Sequence, residues 1–201
     1  MSAEAVRELR ERSGAGMLDC KKALDEAGGN MEEALVILRK KGLATAAKKA
    51  GRTASQGVVA SYIHAGGKIG VLVEVNCETD FVARTEDFQN LVKDISMQIA
   101  AASPRFVRRE EVAADVIEAE RQIYRAQAAT SGKPAAVIEK IIDGKMEKFF
   151  ADTCLLEQPF VRDSDKNIGQ LLTDAVAKMG ENIVVRRFAR FQLGEQSTSG
   201  S

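Results

Sequence analysis

From the N-terminus, apolar positions fall at helical spacing in three short bursts. Val6 and Leu9 share one face of a first helix that ends near Ser13-Gly14. Met17, Cys20, Leu24 and Ala27 define a second, stopped by Gly28-Gly29. Asn30, with Glu33 three residues on, is a variant capping box that opens a third. Its stripe is Met31, Ala34, Leu35 and Leu38, and its end is expected at Gly42, which suits a left-handed C-terminal cap. Three helices in about forty residues make a small bundle with a thin core, which leaves apolar side chains available to a partner. Residues 43–56, rich in Ala, Lys and Gly, read as a solvated linker helix, with steering toward an acidic partner as the functional alternative.

The period then changes from 3.6 to 2. Val59, Ser61 and Ile63 alternate with Val58, Ala60, Tyr62 and His64, and Val71, Val73 and Val75 share a face after the Gly66-Gly67 turn. Two β-branched runs around Gly-Gly predict a hairpin. A third run alternates Ile183, Val185, Ala189 and Phe191 with Val184, Arg186, Phe188 and Arg190, and is expected to complete a small antiparallel sheet. Between these runs lie helices. One carries Phe88, Leu91, Val92, Ile95 and Ile99 and ends before Ser103-Pro104; another carries Val112, Val116, Ala119, Ile123 and Ala126. Pro134 opens a third with Ile138, Ile141, Ile142, Met146 and Phe149, joined to the second by Thr130–Lys133 as a helical hairpin. A last helix runs from Ile168 to Met179 and stops at Gly180. The fold class is α+β: an N-terminal helical module with a basic linker over 1–54, a three-stranded antiparallel sheet packed with helices over 55–195, and a flexible polar tail over 196–201.

Composition narrows the function more than the fold. Of 201 residues, 45% are hydrophobic and 29% charged, and 29 basic residues balance 29 acidic ones. The longest run without Asp, Glu, Lys or Arg, residues 53–67, is too short and too polar for a membrane span. Arg7, Glu8, Arg10, Glu11 and Arg12 stand where a signal peptide would be apolar, so a cytoplasmic protein is expected. Cys20, Cys77 and Cys154 form no disulfide framework and no paired metal-ligand spacing; they read as buried thiols, with an interchain disulfide as the alternative. His64 is the single histidine, which excludes a histidine pair for a metal. No Gly-Lys pair is followed by Ser or Thr, so the phosphate-cradling loop is absent. Gly14-Ala15-Gly16 begins a dinucleotide-like pattern, but Asp19 stands where the third glycine belongs. The chain is read as no enzyme, with no catalytic residue, metal or cofactor. Six basic residues and no acidic one lie between Arg39 and Arg52, a modest excess that falls short of a nucleic-acid binder.

The most telling feature is a corner. Strand 69–76 runs into Cys77-Glu78, and Thr79 or Asp80 suits the cap of the following helix, which puts Phe81 at the tip. A Phe there either folds back onto the core or projects into a partner, and burying it in a complex would be worth about 1.5–3 kcal/mol.

The run from Val6 to Leu24 (VRELRERSGAGMLDCKKAL) resembles the N-terminal signature of the bacterial elongation factor Ts family, and Glu74 to Ala83 (EVNCETDFVA) resembles its second. Gly132-Lys133-Pro134, Gln158-Pro159-Phe160-Val161 and Ile168-Gly169-Gln170-Leu171-Leu172 also match, in order, over nearly the whole chain. The resemblance implies a guanine-nucleotide exchange factor for elongation factor Tu, with an N-terminal module of the ubiquitin-associated type. It implies partner contacts at Arg10, Met17, Leu18 and Lys21, at Thr79, Asp80, Phe81 and Val82, and at His64, with Asp80-Phe81 intruding near the Mg²⁺ and phosphate site. Leu18 replaces the commoner Met of the family, a nearly volume-conserving change. Longer family members carry two core halves and this chain one, which implies a homodimer. The alternatives are a ubiquitin-associated-type adaptor, which leaves Thr79–Val82 unexplained, and a nucleic-acid binder using Arg39–Arg52.

Overall fold

A computed structural model describes residues 2–129 and 134–195. The expected hairpin loop Thr130–Lys133 and the tail 196–201 lie outside the described residues. The fold is α+β, with eight α-helices and a three-stranded antiparallel sheet of order β1-β2-β5 among the described residues. In chain order the elements are α1 (Ala3–Ser13), α2 (Met17–Glu26), α3 (Met31–Lys49), β1 (Gln56–Ile63), β2 (Ile69–Cys77), α4 (Asp80–Ala83), α5 (Glu86–Ala102), α6 (Ala114–Ala129), α7 (Ala135–Thr153), β3 (Pro159–Phe160), β4 (Asp163–Asn167), α8 (Ile168–Met179) and β5 (Val184–Gln192). They group into two compact units, one of residues 1–60, 73–94 and 170–186, the other of 61–72, 95–169 and 187–201.

In the first unit, α1 to α3 enclose Val6, Leu9, Cys20, Ala23, Leu24, Ala27 and Ala34. Ser2 caps α1 by accepting from the Ala5 amide at 3.2 Å, and Gly14 ends it at φ +68°. Asn30 caps α3 by accepting from the amides of Glu32 and Glu33 at 3.0 and 3.2 Å. The expected end at Gly42 is wrong: α3 continues through Gly42 to Lys49. One glycine costs a helix about 1 kcal/mol, and the following Ala-rich turns with Lys48 and Lys49 at the dipole's negative end offset it. Lys49 Nζ donates to the Gly180 carbonyl at 2.6 Å, which ties the end of α3 to the end of α8. Gly57, at φ +133°, lets β1 come close to β2: a Cβ there would lie 2.1 Å from the Val75 carbonyl oxygen.

Strand β2 buries Val71, Val73 and Val75 as the alternation predicts. Strand β5 departs from strict alternation. Ile183 and Val185 are buried, Arg186 and Arg187 are both exposed, and Phe188 and Arg190 then turn inward, so the strand changes phase. In the second unit, Arg190 donates to the Ala100 carbonyl of α5, and Ala189 and Phe191 face away. Helices α6 and α7 enclose Val112, Ile142, Met146 and Phe149. Arg121–Asp143 and Arg125–Glu139 run in opposite sequence directions, so the two helices are antiparallel. Sequence pattern missed the β3–β4 hairpin because β4 is wholly polar and β3 has only two residues, so neither shows an apolar alternation. Buried Gln98 supports it, accepting from the Val161 amide at 2.9 Å and donating to Gln158 and to the Pro159 carbonyl.

Two glycines in the first unit give opposite expectations in urea unfolding. Gly57→Ala combines a positive φ with a backbone clash and is expected to destabilise by about 2–3 kcal/mol. Gly42→Ala meets only the Ala177 Cβ, at an ordinary 3.5 Å, and is expected to stabilise by about 0.5–1 kcal/mol.

Candidate partner-binding site

Strand β2 ends where the chain can no longer alternate. After buried Cys77 the chain bends at Glu78, and Thr79, in extended conformation, caps the single turn α4 by accepting from the Val82 amide at 3.3 Å. That turn is divided by side chain: Val82 and Ala83 are buried, whereas Asp80 and Phe81 face out. Phe81 is 77% exposed, so its ring projects and does not fold back. Asp80 lies beside it, held by Arg84 one turn on at 2.8 Å.

The corner is held from outside. One carboxylate oxygen of Glu181 accepts from the backbone amides of both Glu78 and Thr79 at 3.0 Å, and the other accepts from the Thr79 hydroxyl at 2.6 Å. Glu78 reciprocates, accepting from the Asn182 amide at 2.7 Å and pairing with Arg52 at 3.1 Å. The Asn182 side chain donates to the Arg52 carbonyl at 2.8 Å and to that of Ala50. The Asn182 amide, with Arg52 and Lys49 behind it, holds the Glu78 carboxyl below the usual glutamate range. Burial, reinforced by the charge of Glu181, pushes the Cys77 thiol up. It therefore stays protonated and donates to the Thr79 carbonyl at 3.1 Å. All three cysteines are buried.

The remaining predicted residues lie elsewhere. Arg10, Met17, Leu18 and Lys21 flank the α1–α2 turn and are all exposed, Leu18 most of the apolar pair at 74%. They share the first unit with Thr79–Val82. His64 belongs to the second unit, at the β1–β2 turn, where its amide donates to the Ile69 carbonyl at 2.9 Å and its Nδ1 lies 3.0 Å from the Tyr62 hydroxyl. Sequence reasoning missed Glu181 and Asn182 entirely. The only local signal was the helix stop at Gly180 just before them.

Comparison with known proteins decides the family. The family model described as "Elongation factor TS" matches residues 3–195. The chain belongs to the elongation factor Ts family. Elongation factor Ts of Desulforamulus reducens is 64% identical over 195 residues, 97% of this chain and 90% of that protein. That of Anaeromyxobacter sp. strain K is 67% identical, over 97% and 89% of the two chains. That of Caldanaerobacter subterraneus subsp. tengcongensis is 62% identical, over 97% and 98%. Among the described residues of this family member, no helix is long and apolar enough to cross a membrane, and no cluster of His, Cys, Asp or Glu is placed to hold a metal ion.

The Glu78 carboxyl should therefore titrate, by carbon-detected NMR, below the free side chain. Arg52→Gln should move it only part of the way back, because the Asn182 amide remains. With the folded value depressed, this contribution to stability is present above the ordinary glutamate pKa and is lost as pH falls through the folded value.

Proposed function

We propose that this chain is a guanine-nucleotide exchange factor for translation elongation factor Tu, acting in the cytoplasm by binding alone. The observation that carries the reading is Phe81, an aromatic ring 77% exposed at a corner fixed by four hydrogen bonds between Glu78–Thr79 and Glu181–Asn182 and by the Glu78–Arg52 ion pair. GDP is held by backbone donors at a helix N-terminus and by Mg²⁺ bridging its phosphates. Asp80-Phe81, with Thr79 and Val82 shaping the turn, inserts beside that site and shifts those elements, which loosens ion and phosphate together. No bond is made or broken, so the chain needs no acid, base, nucleophile, metal or cofactor of its own.

The energetics require more than the wedge. A ~10⁴-fold loosening of GDP needs ~5.5 kcal/mol of differential binding, and one ring supplies about 1.5–3. Residues 1–54 act as a ubiquitin-associated-like docking module with a basic linker, and Arg10, Met17, Leu18 and Lys21 supply part of the remainder. The core over 55–195, with His64, contacts the GTPase and pairs with a second copy. Support for pairing comes from the second unit, where Ile63, Leu72 and Phe191 are 67%, 49% and 68% exposed on strands of one sheet. A homodimer then binds two partner molecules. Coupling is reciprocal: GDP weakens the factor's own hold on the GTPase by the same ratio. An adaptor reading leaves the Phe81 corner without a purpose, and a nucleic-acid reading rests on a modest basic excess of which Lys41, Lys49 and Arg52 are already engaged within the chain.

The decisive test is release of a fluorescent GDP analogue from elongation factor Tu. The chain is expected to accelerate it, and Phe81→Ala to lower that acceleration about 10- to 100-fold with an unchanged melting midpoint. Unaltered release with Phe81→Ala would reject the wedge. Light scattering at micromolar concentration is expected to give twice the 21.8 kDa chain mass, falling toward the monomer with Phe191→Lys. A monomeric wild type would reject the dimer.

A further inference from the structure

Turn α4 is too short to aim its own side chains. It holds four residues, and its closing bonds, Ala83 N to Thr79 O and Arg84 N to Phe81 O, are both long at 3.3 Å. A single helical turn carries the full cost of nucleation with almost none of the return from propagation. The direction of the Phe81 ring must be imposed from outside, and the three bonds accepted by the Glu181 carboxylate are placed to impose it. Bonds to an ionised acceptor are roughly twice as strong as neutral ones. They fall on the two residues directly before the turn, so a small rotation there swings the ring through a large arc. Glu181 is itself anchored. It follows Gly180, whose amide closes α8 on the Val176 carbonyl at 2.9 Å and whose carbonyl accepts from Lys49. Asn182, directly after it, is bonded to Glu78 through its backbone and to the Ala50–Arg52 segment through its side chain.

We propose that Glu181 is the positioning residue of the exchange reaction, aiming Phe81 through the backbone of Glu78 and Thr79 and referring that aim to the end of α8. The inference rests on the exchange-factor reading above. Its bonds go to the backbone of Glu78 and Thr79 and to the Thr79 hydroxyl, and it acts by denying the corner its alternative orientations. Its partner Glu78 makes the arrangement reciprocal, since each carboxylate caps a backbone amide of the other segment.

The test is a set of titrations of fluorescent GDP release from elongation factor Tu, with maximal rate and half-saturating concentration read separately. Glu181→Ala is expected to lower the maximal rate about tenfold, the scale of losing one well-placed charged hydrogen-bond anchor. Glu181→Gln keeps an acceptor at the same reach and is expected to stay within about threefold of wild type. Glu181→Asp keeps the charge but withdraws it by one methylene, and is expected to lose at least threefold; it serves if the alanine variant does not fold. Added to Phe81→Ala, Glu181→Ala should cost less than about twofold more, because its effect passes through the ring. Hydrogen exchange at the Glu78 and Thr79 amides should quicken in Glu181→Ala. Wild-type maximal rates with both Glu181→Ala and Glu181→Asp, or a full further loss in the Phe81→Ala background, would overturn the inference while leaving the exchange reading standing. A wild-type chain that fails to accelerate release at all would remove both.

Discussion

Two short segments of backbone, Glu78–Thr79 and Glu181–Asn182, each expose amides that the other's carboxylate satisfies. Most of what is particular to this molecule depends on that exchange. It ends β2, gives α4 its cap, fixes the exit of α8 and, through Arg52 and Asn182, receives the chain leaving α3. Ion pairs exposed to water are worth little on their own. Here the carboxylates accept backbone amides at the edge of a buried core, and Cys77, Val82 and Ala83 seal the inner side of the same corner. The outcome is a projecting aromatic residue on a rigid mount.

Such a mount suits the wedge proposed above. A flexible loop would lose part of its binding energy in becoming ordered, and that part would be unavailable to deform the partner. A pre-organised corner keeps it. The remaining energy must come from breadth, and the exposed residues flanking the α1–α2 turn lie in the same compact unit as the corner. The three thiols are buried in the same molecule, and the lone histidine is engaged with Tyr62.

Much of the fold was legible in the sequence, for reasons that can be named. Val71, Val73 and Val75 could only be one face of a strand, and Asn30 and Gly14 marked helix ends by their own chemistry. Gly42 misled because glycine favours helix ends and yet costs little inside an Ala-rich run. The phase change at Arg186–Arg187 was hidden because both phases of the strand contain apolar residues. Phe81 stayed ambiguous until the burial of Val82 and Ala83 showed which side of the turn faces inward. The contact between Thr79 and Glu181 spans 102 positions, and no local pattern encodes a pairing at that range.

The central claim concerns a single ring, so the most direct measurement observes that ring. With a fluorinated phenylalanine at position 81, the ¹⁹F resonance of the free protein should lie at the solvent-exposed position. On adding GDP-bound elongation factor Tu it should move and broaden as the ring becomes enclosed. A resonance that keeps its exposed shift in a complex shown by light scattering to have formed would contradict the account.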